Sequence, residues 1–144
     1  MSRSSRVIHR AVEYIPEHLS EGVLYVSHRY ATASHLCCCG CGEEVITPLG
    51  PTEWSIQLDL SGPTLHPSIG NWSYACRSHY WIRRGQVIWA KQMSSSEIEL
   101  GRARDRLAKE AYFASKSKLK HQHRVFIVLK PNTWIRWLRT WLRR

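Results

Sequence analysis

Apolar positions come in short bursts between residues 22 and 90 and spread to helical spacing after residue 93. Val23-Leu24-Tyr25-Val26, Glu44-Val45-Ile46-Thr47 and Gln86-Val87-Ile88-Trp89 are runs of β-branched or aromatic residues with glycine or proline at their borders, the composition of strands. Trp54-Ser55-Ile56-Gln57-Leu58-Asp59-Leu60 alternates apolar and polar residues at period two, which gives a strand one face to bury. Turn-forming stretches at Pro48-Leu49-Gly50-Pro51, Ser61-Gly62-Pro63 and Arg84-Gly85-Gln86 separate these runs. The pattern predicts a small antiparallel sheet system, arranged as a sandwich or an open barrel.

After Met93 the grammar changes. Ser94 and Glu97 have the spacing of a capping box, and Ile98, Leu100, Leu107, Ala111 and Tyr112 form a loose apolar stripe through a basic surface. The serines at 115 and 117 predict the end of this helix, and Val125 to Leu129 reads as a further strand before Pro131-Asn132. From Asn132, a candidate N-cap, Trp134, Trp137, Leu138, Trp141 and Leu142 recur at helical spacing opposite Arg136, Arg139, Arg143 and Arg144. Such a Trp-rich cationic segment suits docking on its own domain, on another protein or on an anionic membrane surface. The organisation expected is α+β, mainly β with C-terminal α: a zinc-stabilised β domain over 1–92, then a basic helical extension over 93–144 with an amphipathic tail.

Charge sharpens this division. The chain of 144 residues has a net charge of +10, but residues 1–100 hold 8 Lys/Arg against 9 Asp/Glu and residues 101–144 hold 13 against 2. The positive excess belongs to the last third alone, so a nucleic-acid partner is a lesser expectation than a counter-surface for acidic partners. No run of 18 apolar residues and no apolar core near the N-terminus suggest a membrane span or a secretory leader. Together with unpaired thiols, this points to a reducing cytoplasm.

Four of the five cysteines lie in Cys37-Cys38-Cys39-Gly40-Cys41, and the fifth begins Cys76-Arg77-Ser78-His79. Neighbouring cysteines in a glycine turn seldom reach disulfide geometry, whereas a thiolate cluster and a distant Cys-x-x-His supply tetrahedral ligands for Zn2+. Cys76 and His79 offer two ligands; the others come from Cys37, Cys38, Cys39 and Cys41, and spacing leaves the choice open. Four such ligands close the coordination sphere, so the metal is expected to be structural.

Chemistry must then come from other residues. Ser68, in His66-Pro67-Ser68-Ile69-Gly70-Asn71-Trp72, stands between a proline and a glycine turn, where a rigid backbone can present a nucleophile beside outward-facing amides. A serine nucleophile needs a base. With His79 assigned to the metal, His35 is the candidate general base and His66 the alternative. The competing expectation is a non-catalytic adaptor whose zinc module and basic arm hold proteins or nucleic acid.

The ordered set His35-Leu36-Cys37, Cys39-Gly40-Cys41-Gly42, Thr47-Pro48-Leu49, Trp54, Pro67-Ser68-Ile69-Gly70-Asn71-Trp72, Cys76-Arg77-Ser78-His79-Tyr80-Trp81-Ile82 and Val87-Ile88-Trp89 resembles a bacterial family encoded beside ubiquitin-like proteins and their activating and conjugating enzymes. The resemblance spans residues 20–92 and excludes the Trp-rich tail. It implies a zinc site at Cys37, Cys39, Cys41, Cys76 and His79, with Cys38 standing where the family commonly has another residue. It also implies a peptidase that processes or deconjugates a ubiquitin-like protein, partnered by that protein and by the enzymes of the pathway, in antiphage defence.

Overall fold

The computed structural model describes residues 3–128, with side chains described through residue 119. The chain divides into two compact units, Met1–Gly101 and Arg102–Arg144. Among its described residues the first holds nine short strands: β1 Ile8–Ala11, β2 Val23–Ser27, β3 Thr32–Leu36, β4 Glu44–Pro48, β5 Ser55–Asp59, β6 Gly62–His66, β7 Ile69–Gly70, β8 His79–Arg83 and β9 Gln86–Trp89. They form a four-stranded sheet in the order β1-β2-β3-β4, a β5-β6 hairpin and a three-stranded sheet in the order β7-β8-β9. Neighbouring strands are antiparallel except β1 and β2, which run parallel. Among the described residues one α-helix, α1 Ser95–Val128, follows, so the fold is mainly β with a C-terminal helix.

The burial of each strand follows its place in a sheet. β2 lies between β1 and β3, and all five of its residues are buried. β4 lies at an edge and alternates, with Val45 and Thr47 inside and Glu44, Ile46 and Pro48 outside. Leu24, Val26, Ala33 and Val45 share one core cluster with Leu65, Ile69, Tyr80 and Ile82. The same alternation gives the β7-β8-β9 sheet two unlike faces. Ile69, Tyr80 and Ile82 point into the core, while the opposite register positions carry Ser68, His79, Trp81 and Ile88.

The helix differs from the sequence expectation at its far end. Its start is the capping box: the Ser94 N–H donates to Glu97 Oε2 at 2.7 Å, and the Glu97 N–H donates to Ser94 Oγ at 3.3 Å. The serines at 115 and 117 do not end it, because their hydroxyls donate to the carbonyls of Tyr112 and Ala114 inside the helix. Residues 125–128, read as strand from their apolar run, continue the helix instead. Leu129 and the Trp-rich segment fall outside the described residues.

Candidate active site and thiolate cluster

The β3–β4 connection carries the cysteine-rich segment. Cys37 and Glu43 close its base through an N–H···O=C bond of 2.8 Å, and the Gly40 N–H donates to the Cys37 carbonyl at 3.0 Å. Gly40 and Gly42 both have φ of +82°, a left-handed conformation that residues with a Cβ rarely adopt. The segment coils tightly enough to bring Cys37, Cys39 and Cys41 together with Cys76 of the β7–β8 loop, all four sulfurs lying within 4.8 Å of one another. Cys37 Sγ is 3.3 Å from Cys39 Sγ and 4.0 Å from Cys76 Sγ. Sulfurs bound to one zinc ion lie about 3.8 Å apart, so the donor set fits a tetrahedral thiolate metal.

The electrostatics agree with that fit. Burial pushes the Cys39 and Cys41 thiols up. It opposes ionisation of Cys76 as well, yet hydrogen bonds from the Ser78 backbone and hydroxyl bring that thiol down to about 7. Adjacent sulfurs resist sharing negative charge, and a cation among them removes the obstacle. Cys38 turns the other way. It is 2% exposed in the hydrophobic core, and burial raises its thiol to about 12.

His79 stands apart from the four sulfurs. It begins β8 opposite Gly70 of β7, and its Nε2 is 3.1 Å from Ser68 Oγ. Its Nδ1 is 3.0 Å from the backbone carbonyl of Lys91, just beyond β9. A carbonyl only accepts, so Nδ1 carries the proton and Nε2 presents a lone pair to the Ser68 hydroxyl. The His79 ring is packed between Trp72 and Trp81, with centroid separations of 4.9 and 5.6 Å. The residue before β7, the first residue of β8 and the segment after β9 thus bring together a hydroxyl, an imidazole and an orienting carbonyl at one end of a small sheet.

The structure therefore brings together Cys37, Cys39, Cys41 and Cys76 as one group and Ser68 with His79 as another. His35 belongs to neither. It is 1% exposed in the core, its Nε2 is 2.9 Å from the Tyr80 hydroxyl, and burial depresses it to about 4. His66, the alternative base, is exposed at the end of β6.

Sequence reasoning assigned no role to two further contributors. The Lys91 carbonyl is backbone and could belong to any residue type. Asn71 is buried, and its Nδ2 donates to Ser78 Oγ at 2.9 Å and to Cys37 Sγ at 3.4 Å. Only its place between Ser68 and Cys76 hinted at a role.

A hydroxyl hydrogen-bonded to a tautomerically fixed imidazole is the arrangement of a serine nucleophile and its base. A family model described as bacterial ubiquitination-like system serine protease (BubE) matches residues 11–90, more than half of the chain. The chain belongs to that family. The matched span contains the four clustered cysteines, Ser68, Asn71 and His79 and stops short of α1. No curated protein and no solved structure matched the chain.

Proposed function

We propose that this chain is a serine peptidase that processes or deconjugates a ubiquitin-like protein in a bacterial conjugation pathway. Ser68 is the nucleophile and His79 the general base. The single observation that carries the reading is the 3.1 Å contact from Ser68 Oγ to an imidazole nitrogen whose partner atom is held by the Lys91 carbonyl. Ser68 Oγ attacks the scissile carbonyl carbon as its proton passes to His79 Nε2. The carbon–nitrogen bond then breaks, and the same proton goes to the leaving amine, leaving an acyl group on Ser68. Water, deprotonated by Nε2, attacks that ester and releases the new C-terminus with Ser68 regenerated. His35, buried and bonded to Tyr80, serves the core in this scheme and does not act as base.

Cys37, Cys39, Cys41 and Cys76 would hold zinc, which supplies a closed cross-link between the β3–β4 and β7–β8 loops. The family's place in a ubiquitination-like system supports pathway enzymes and a ubiquitin-like protein as partners, and a cytoplasmic antiphage setting is part of the same proposal. The test is cleavage of a ubiquitin-like protein carrying a C-terminal extension. Ser68→Ala and His79→Ala should each abolish it, and unimpaired cleavage by Ser68→Ala would overturn the reading.

A further inference from the structure

The thiolate cluster and the Ser68–His79 pair are close in the chain. Ser68 precedes Asn71 by three residues, and His79 follows Cys76 by three. Asn71 and Ser78 tie these two short segments together. The Asn71 N–H donates to the Ser78 carbonyl at 2.9 Å, and the Asn71 carbonyl accepts from the Tyr74 N–H at 3.1 Å. Its side-chain amide donates to Ser78 Oγ and Cys37 Sγ. Ser78 Oγ is itself 3.1 Å from Cys37 Sγ and 3.6 Å from Cys76 Sγ.

The side chain is matched to this place. A carboxamide oxygen cannot donate a hydrogen bond, so it is the NH2 end of Asn71 that meets Cys37 Sγ as an acceptor. Its two protons then serve Cys37 and Ser78. Asn71 is 8% exposed, which leaves little room for water to replace either bond. β7 is only two residues long, with two register pairs to β8, so its ladder alone is a weak anchor for Ser68.

We infer that Asn71 is a positioning residue: it fixes Ser68 relative to His79 by bonding the Ser68 segment to both the cluster and the residue before His79. This rests on the serine-peptidase reading above. Asn71 acts through backbone placement and touches no reacting atom. His79 keeps its own anchor at Lys91, so loosening Asn71 moves the nucleophile relative to its base. Such a change lowers kcat and leaves substrate binding largely intact.

The experiment uses the full chain loaded with zinc and a ubiquitin-like protein carrying a C-terminal extension, with kcat, KM and metal content measured together. Asn71→Ala should retain zinc and its KM while kcat falls about 100-fold, the size of effect that a displacement of about 1 Å produces. Asn71→Asp, which sets a carboxylate against Cys37 Sγ, should fail to restore kcat. A zinc-loaded Asn71→Ala with wild-type kcat, or with raised KM and unchanged kcat, overturns the inference. Should Asn71→Ala fail to fold or to hold zinc, Ser78→Ala decides, since it removes the shared hydroxyl and keeps the backbone bonds. A kcat loss of about tenfold at unchanged KM then supports the inference, and an unchanged kcat overturns it. Cleavage that persists in Ser68→Ala overturns the peptidase reading and the role of Asn71 with it, whereas an inactive Ser68→Ala beside a fully active Asn71→Ala overturns the role alone.

Discussion

Gly70 and Trp72 are packed so closely that a Cβ at Gly70 would lie 2.4 Å from Trp72 Nε1. The indole that fills this space is also the one packed on His79. Gly70→Ala must therefore displace Trp72 from the imidazole. We expect it to destabilise the fold by about 1–3 kcal/mol, the usual cost of overpacking, and to lower cleavage further than stability alone explains. Melting and cleavage measured on the same preparation check this, and wild-type values for both would refute it.

The separation of His79 from the four sulfurs gives a second expectation. His79→Ala should bind metal in wild-type amount while cleavage falls about 10²–10⁴-fold, the contribution of a general base. Cys39→Ser and Cys76→Ser should lose the metal and unfold, because binding energy at such a site is folding energy. Metal analysis of the purified variants distinguishes the two classes. Metal lost from a folded His79→Ala would return the histidine to the ligand set.

Cys38 faces the core while its neighbours face the cluster. Cys38→Ala should leave the metal content unchanged and cost about 1–2 kcal/mol through lost packing. Metal stoichiometry and denaturant midpoint are the measurements. A loss of metal would place Cys38 among the ligands.

His35 gives a pH dependence of definite sign. Burial holds it near 4 in the fold against 6.5 ordinarily, so the unfolded chain binds its proton more readily. The stability this neutral imidazole confers is present above pH 6.5 and is lost as pH falls toward 4. Its size is on the order of 3 kcal/mol. His35→Leu should flatten the stability curve across that window relative to wild type. Proton competition for the cysteines acts on both proteins, so the difference between the curves isolates the histidine.

Local pattern determined much of this protein. Short β-branched runs between turn residues specify strands because alternation and chain reversal are encoded within a few residues, and β2, β4, β5 and β9 fall where these runs lie. The capping box likewise fixed the start of α1. β7, only two residues long, and β3, whose Thr32-Ala33-Ser34-His35-Leu36 is half polar, lack such a pattern and acquire strand form through pairing with neighbours. The crowding of Cys37, Cys38, Cys39 and Cys41 along the chain pointed to a group that could hold a metal.

Tertiary structure decided which side chains of those motifs meet. Spacing made His79 as good a ligand as Cys76, but the pairing of Gly70 with His79 carries its imidazole to Ser68. His35, adjacent to the cysteines in sequence, is turned by the alternation of β3 into the core against Tyr80. Cys38 is separated from its neighbours by the coil of the loop, and the Lys91 carbonyl is recruited by the end of β9. These assignments depend on strand register and loop curvature, which arise from contacts between distant residues. Sequence spacing can propose the chemistry, but only those contacts select the atoms that meet.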